Sequence, residues 1–312
     1  MHTILGAGGP ISNALTRELS KTTETVRLIS RREIATRGNT TWKKGDLLNF
    51  SEISSAVKGS SVIYLCAGLK YDKEIWRQQW PIIIKNVINA AKENNARLIF
   101  FDNVYMYGRV KGPMTETTPY NPSSVKGEIR AKIADTLMQE VKAGNLRASI
   151  ARGADFYGAT DSMNSFFDMM VLDKLSNNQT PQWIGNVNTL HSFTYVPDAA
   201  KGMYLLGQNP KSDNQIWHLP TAPAIKGKEF IRLAADIFNK HPKFTKINKL
   251  MLQLVGLFNP VVKGTVEMYY QYQYDYNFNS DKFEKAFGIN PTSYHEGIHF
   301  LSQSFYNKRN AK

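Results

Sequence analysis

The sequence predicts an α/β protein, a doubly wound parallel sheet with a smaller, mostly C-terminal lobe. Three observations predict it. Short apolar β-like runs alternate with helical patterns through the first half of the chain, the rhythm of strand–helix–strand units. The first of these runs leads straight into a glycine-rich turn and a helix. After Arg152 the rhythm changes: segments lengthen, and asparagine and aromatic residues become more frequent.

The elements follow in order. Residues 3–5 and the glycines after them read as a strand and turn, and residues 11–20 as a helix. Residues 25–30 (TVRLIS) form the second strand, with a short third near residues 41–43, ahead of Gly45 and Asp46. Residues 61–66 (SVIYLC) form a fourth, bounded by Gly68. Residues 74–94 are helical. Pro81 predicts a kink or restart inside them, because proline lacks an N–H and crowds the preceding turn. Residues 97–101 (RLIFF) form the fifth strand. Residues 122–143 are helical and stop at Gly144, and residues 146–151 form the sixth strand. Residues 196–206 read as a helix with Pro197 in its first turn, and residues 215–219 as one more strand of the same sheet. Helices are expected over 227–238 and 246–258. The run 270–278 alternates strictly, which predicts a strand with its aromatics on one face, packing one side of a small sheet. The expected division is a sheet domain of residues 1–152 plus about 191–220, and a lobe of about 153–190 and 221–312.

The chain has 312 residues and 42% hydrophobic content, enough for a full core and too apolar for disorder. One cysteine, Cys66, excludes a disulfide framework and a cysteine-rich zinc site. No cluster of His, Asp and Glu has metal-ligand spacing. There is no signal-peptide pattern and no apolar run near the ~20 residues of a membrane span, so a cytoplasmic protein without a membrane partner is expected. The net charge is +13, and it is not a tail: residues 1–150 carry +9, residues 151–220 carry −2 and residues 221–312 carry +6. A basic surface attracts anions. Nucleic-acid binders concentrate such charge in a stripe or motif, and none is present. The expected partner is therefore a small anionic molecule, not nucleic acid.

The run Leu5-Gly6-Ala7-Gly8-Gly9-Pro10-Ile11-Ser12 carries the first chemical signal. Glycines between a first strand and a helix let backbone N–H groups approach a pyrophosphate, which then sits at the positive helix end. This predicts a Rossmann-like dinucleotide site built on Gly6, Gly8, Gly9, Pro10 and Ile11. Ser12 stands where a third glycine usually packs helix against strand. The second strand ends Ile29-Ser30-Arg31-Arg32. An acid there would bond the 2′-hydroxyl of NAD, whereas arginine accommodates the 2′-phosphate of NADP. Ser30, Arg31 and Arg32 therefore favour NADP(H) over NAD(H).

At these residues the sequence resembles the extended short-chain dehydrogenase/reductase superfamily, of the NAD(P)-dependent epimerase/dehydratase type. The glycine run resembles that family's Gly-x-x-Gly-x-Ile loop. Gly45-Asp46-Leu47 is similar to its Gly-Asp-Leu, which implies that Asp46 and Leu47 flank the adenine. Cys66-Ala67-Gly68 stands where a small-residue loop passes the cofactor. The segment 101–108 resembles the strand-five motif Ser-Ser-x-x-Val-Tyr-Gly. Thr115-Glu116, Pro119 and Pro122 match the approach to the catalytic helix. The segment 152–158 resembles Arg-Pro-x-x-x-Tyr-Gly-Pro, which implies that Ala154 and Asp155 border the cofactor and that Tyr157 borders the substrate. The segment 193–198 resembles Phe-x-His-Val-Asp-Asp. Asp281-Lys282, Phe287-Gly288 to Pro291 and Glu296-Gly297 match the C-terminal signature. His191 stands where the family often has a substrate-reaching Arg; an ordinary hydrogen-bonded histidine is the other reading. A homodimer through the 74–94 and 122–143 helices is also implied.

The family's Tyr-x-x-x-Lys pair, with its Ser or Thr, is missing. The matching positions hold Lys126, Arg130 and Asn103. Lys126 and Arg130 lie one turn apart on one helix face. Two neighbouring cations disfavour each other's charge, and arginine keeps its proton, so Lys126 is expected to have the lowered pKa and to act as acid or base. Its position also implies contact with the cofactor. Arg130 could hold ribose hydroxyls or an oxyanion, and Asn103 could donate to a carbonyl oxygen. Tyr105 is the second candidate acid, and Tyr107 borders the same cleft. The expected function is an NAD(P)-dependent oxidoreductase or epimerase-like enzyme. It would act by hydride transfer on a sugar, a nucleotide-sugar or another hydroxy/carbonyl compound. The alternative is a catalytically silent NAD(P)-binding sensor or interaction protein. The apolar stripe in residues 246–258 reads either as a helix covering the lobe or, from its basic ends, as a membrane-surface helix; a covering helix is expected.

Overall fold

The computed structural model describes residues 1–159 and 165–310. Its centre is a seven-stranded parallel sheet. The strands are β1 (His2–Leu5), β2 (Val26–Ser30), β3 (Thr40–Lys44), β4 (Val62–Leu65), β5 (Arg97–Asp102) and the segments Ala148–Arg152 and Gln215–His218. Across the sheet the order is Gln215–His218, Ala148–Arg152, β5, β4, β1, β2, β3. Every neighbouring pair is parallel. The winding reverses between β1 and β4, so the crevice of this architecture opens there, at the carboxyl ends of the strands.

β1 and β4 are buried along their whole length, as near-continuous apolar runs require in a sheet covered on both faces. Successive side chains serve opposite layers. Leu5, Ile29, Ile63, Leu65 and Phe100 pack under α2 (Phe50–Val57), α3 (Lys73–Glu93) and α4 (Val125–Lys142). Ile4, Leu28, Tyr64 and Ile99 pack under α1 (Pro10–Leu19) and the helix Val196–Gln208. Burying each such side chain contributes about 1.5–3 kcal/mol. Polar side chains start the helices: Asn49 accepts from Glu52 N–H, Asp72 from Glu74 and Ile75 N–H, and Ser124 from Gly127 N–H. Arg97 ties the Val196–Gln208 helix to the sheet. Its guanidinium donates to the carbonyls of Leu206, Gly207 and Asn209 and pairs with Asp213 at 2.6 Å.

Beyond Arg152 the strands are short and pair two by two. Asp155–Tyr157 runs parallel to Phe193–Tyr195, and Gln182–Ile184 parallel to Thr245–Ile247. A second core gathers there around Tyr157, Phe167, Trp183, Phe193, Phe230 and Tyr294.

Three local expectations are corrected. α3 runs without interruption through Pro81. Pro81 and Arg77, whose carbonyl loses its partner, are both exposed, so the unpaired carbonyl is not stranded in the core, while Trp80, Ile83, Ile84 and Val87 hold the helix down. The alternating run is no strand at first: Tyr270–Gln273 is a helical turn, Tyr276 makes a single bridge to His191, and Asn277–Phe278 pairs with Pro113–Met114. Tyr272 and Tyr276 both stack on His191, the first from the helical turn and the second from beyond the bend at Tyr274. Within 246–258 the helix spans only Lys249–Gly256, after a strand Thr245–Ile247. Its stripe faces outward: Leu250, Met251, Leu254 and Val255 are exposed, and only Leu252 and Gly256 are buried.

Candidate functional site

The glycine turn lies at the carboxyl end of β1. Gly6 has φ +82° and Gly8 φ +98°, a region L side chains avoid. A Cβ on Gly6 would lie 2.5 Å from the Ala67 Cα, so this glycine lets the loops after β1 and β4 touch. Ser12 is buried rather than loosely seated, and it accepts from Gly9 N–H at 2.9 Å. Pro10 opens α1 and Ile11 packs into the sheet's core. The first turn of a helix leaves N–H groups without intrahelical acceptors. A Cβ on Gly68 would meet no atom within 4 Å, and one on Gly9 only Ser12 Oγ at 3.8 Å. The loops are therefore tight where they meet and open beside Gly9 and Gly68, a shape that fits a pyrophosphate.

At the end of β2, Ser30 Oγ donates to the Arg32 carbonyl and accepts from Trp42 Nε1 at 2.9 Å. Arg31 and Arg32 are exposed beside it. Asp46 is half-buried and turns its carboxylate to Leu48 N–H, and the Leu47 carbonyl accepts from Asn86. Cys66 is half-buried after β4, and burial pushes its thiol pKa up.

Lys126 and Arg130 project from the start of α4. Gly127 between them allows close approach, since a Cβ there would lie 2.5 Å from the Tyr105 carbonyl. Lys126 is fully buried. Its Nζ donates to Glu267 Oε1 at 2.5 Å and to the Gly264 carbonyl at 2.9 Å, and lies 4.2 Å from the Tyr71 ring centre. Glu267 Oε2 accepts from Val125 N–H, placing the carboxylate at a helix N-terminus, where the dipole favours it. Arg130 pairs with Asp102 and lies over the Trp80 ring at 4.3 Å. Asn103 Oδ1 accepts from Tyr105 N–H, so its Nδ2 is the end left to donate elsewhere. Tyr71 donates to the Tyr105 hydroxyl at 3.3 Å. Burial raises the pKa of both phenols.

The structure thus links Lys126 to Tyr105 through Tyr71, and Tyr105 to Asn103 through its backbone N–H, with Arg130 held on Asp102. Tyr107, Tyr157 and His191 sit differently. Tyr107 accepts from Arg152 and donates to His218 Nε2 at 2.8 Å. His218 Nδ1 must carry the proton, because it faces the Asn279 carbonyl. Tyr157 is packed among Tyr195, Phe230 and Tyr294. His191 is paired with Asp155 at 2.9 Å. Ala154 is buried, and its N–H donates to Thr194.

Sequence reasoning missed Tyr71, Trp76, Asp102 and Glu267. One signal could have found Glu267: it is the only acidic residue between Asp236 and Asp275. Among the described residues no three His, Cys, Asp or Glu side chains gather as a metal site needs.

Comparison with known proteins places this geometry in a family. A family model, "NAD dependent epimerase/dehydratase family", matches residues 2–219. No curated protein matches the chain in sequence. Solved structures match nearly end to end. A dTDP-glucose 4,6-dehydratase from Bacillus anthracis, in complex with NAD, has a TM-score of 0.82 at 14% identity, covering 99% of this chain and 98% of that one. A double mutant of the dTDP-glucose 4,6-dehydratase from Streptomyces venezuelae, with NAD bound, has a TM-score of 0.78 at 14% identity, covering 100% and 98%. A UDP-glucose 4-epimerase from Thermus thermophilus, in complex with NAD, has a TM-score of 0.78 at 16% identity, covering 98% and 99%. The glycine turn, the parallel sheet and the family match lead to one conclusion: this chain belongs to the NAD dependent epimerase/dehydratase family.

Proposed function

We propose that the chain is an NAD(P)-dependent enzyme that moves a hydride to or from a hydroxy/carbonyl compound of the sugar or nucleotide-sugar class, with Lys126 as proton carrier. The single observation that carries this reading is the burial of Lys126 Nζ against Glu267 and over the Tyr71 ring, whose hydroxyl donates to Tyr105. A lysine costs a great deal to bury, and the start of α4 lies on the side of the sheet where the strands' carboxyl ends, and in this architecture the ligands, are found. The substrate class is drawn from the structural neighbours, two named as dTDP-glucose dehydratases and one as a UDP-glucose epimerase.

Gly6, Gly8, Gly9, Pro10 and Ile11 would hold the pyrophosphate at the start of α1. Asp46 and Leu47 would flank the adenine, and Cys66, Ala67, Gly68, Ala154 and Asp155 would border the nicotinamide half. Ser30, Arg31 and Arg32 support NADP(H), because a 2′-phosphate pairs with exposed arginines and the strand-end position itself is a serine, not an acid. When bound, the nicotinamide supplies the hydride acceptor or donor. The rest falls to the protein. Lys126 Nζ receives the substrate hydroxyl proton once its own has passed to Glu267 Oε1, and returns it when a carbonyl is reduced. Asn103 Nδ2 and the Tyr105 hydroxyl donate to the substrate oxygen. Arg130, held by Asp102, fixes the wall behind them.

A second reading has its own observation. Both cations already have carboxylate partners, Glu267 and Asp102, and a protein that binds the dinucleotide without turning anything over would need no more. The sheet domain of residues 1–152 plus about 191–220, and the lobe formed by the rest, frame either reading. The test is Lys126→Met. Turnover is lost while dinucleotide affinity stays; full activity in that variant discards Lys126 as proton carrier. Binding that discriminates the redox state of the dinucleotide, without turnover of any hydroxy/carbonyl compound, favours the silent protein.

A further inference from the structure

The outward apolar stripe has a defined shape. Lys249–Gly256 and Pro260–Val266 form a helical hairpin. The two helices nearly touch, since a Cβ on Gly256 would lie 3.0 Å from the Lys263 Cα. Asn259 starts the second helix by accepting from Val261 and Val262 N–H. Leu252, Val262 and Val266 fix one side of the hairpin to the lobe's core. The other side and the tip are bare: Leu250 is 64% exposed, Leu254 55%, Leu257 74% and Phe258 90%.

Along the chain segment that carries this ridge the charge has one sign. Lys240, Lys243, Lys246, Lys249 and Lys263 are all exposed, and no acidic residue lies between Asp236 and Glu267. We propose that this hairpin docks the protein on an anionic lipid surface, with Leu257 and Phe258 entering the headgroup–acyl boundary and the lysines meeting the headgroups. Apolar residues with a lysine-rich surround are the composition of segments that lie in a membrane interface, and lysines near an anionic leaflet are attracted to it. A second copy fits poorly. A two-fold contact sets the same patch against itself, so the lysines of this segment would face their own copies, and its residues 237–266 supply no acid to pair with them. Nucleic acid fits poorly as well, because it offers no apolar phase for leucines.

The test is co-sedimentation of the full chain with vesicles of phosphatidylcholine alone or of phosphatidylcholine mixed with phosphatidylglycerol. The chain is expected to bind the mixed vesicles and to release as salt is raised. Phe258→Asp weakens binding at least tenfold. Lys246→Glu with Lys249→Glu weakens it by roughly 25-fold or more, at about fivefold per lysine. Both changes fall on exposed positions, and unaltered thermal unfolding verifies that each variant is folded. No uptake by the mixed vesicles overturns the proposal. So does binding that Phe258→Asp leaves unchanged, since that is charge adsorption alone. A dimer in velocity sedimentation that Phe258→Asp dissociates, without vesicle uptake, assigns the ridge to a second copy and overturns it too.

Discussion

Glu267 reaches Lys126 across 141 residues of sequence and closes a 2.5 Å contact with its Nζ. The same carboxylate caps the first turn of α4 through Val125 N–H. A segment from the C-terminal part of the chain thereby completes a site that otherwise rests on the sheet. Removing one partner of a buried pair leaves the other uncompensated. Glu267→Ala is expected to cost about 3 kcal/mol, read as a shift in the urea midpoint. In the double variant Lys126→Met/Glu267→Ala part of that loss returns, because the stranded ammonium is gone. Strictly additive losses would mean that the two side chains are not coupled.

Gly6 is the most demanding position of the turn. Gly6→Ala places a methyl group against the Ala67 backbone at a φ of +82°. The expected cost is about 2–3 kcal/mol, from strain and from separation of the two loops. Dinucleotide affinity should fall with it. Retained affinity in a destabilised variant would separate the turn's structural part from its binding part.

Ser30 is the proposed determinant of the ribose end. Its hydroxyl is held between Trp42 Nε1 and the Arg32 carbonyl, so an acid at this position would sit beside the 2′ position of an adenosine ribose. Ser30→Asp is expected to move the NADPH-to-NADH affinity ratio at least tenfold toward NADH, through repulsion of the 2′-phosphate, on the order of 1.4 kcal/mol. An unchanged ratio contradicts the assignment of Ser30, Arg31 and Arg32.

His218 sets a pH dependence. Burial lowers its pKa to about 3, below the 6.5 of an exposed histidine. Between these values the unfolded chain binds a proton that the folded chain does not. Stability is therefore whole above pH 6.5 and falls as pH drops, by about 1.4 kcal/mol per unit. Asp168 works the other way: burial raises its pKa to about 6, so it favours the folded state as pH falls toward 4. Comparing wild type with His218→Gln cancels Asp168, which both share. The stability advantage of wild type over the variant should shrink steadily from pH 6.5 to 4. A constant difference would mean that His218 does not stay neutral in the fold.

The sheet was legible in the sequence because its strands are short apolar runs, and β1 to β5 fall within a residue or two of their expected places. The glycine turn was legible because positive φ selects glycine. What was missed follows from distance and direction. The partner of Lys126 lies in another segment, and the i, i+4 spacing of Lys126 and Arg130 says nothing about Glu267 or Asp102. Tyr272 and Tyr276 alternate with polar residues on paper, yet a helical turn and a bend bring them to one histidine. In residues 246–258 the apolar spacing was read correctly and its direction was not, because periodicity shows that a face exists and not what it meets.

The most direct measurement is a calorimetric titration of the full chain with NADPH, NADP⁺, NADH and NAD⁺. All four are expected to bind at the glycine turn, with the phosphorylated pair tighter. No binding of any of them would reduce the glycine turn to a structural device and remove the basis for Lys126 as a proton carrier.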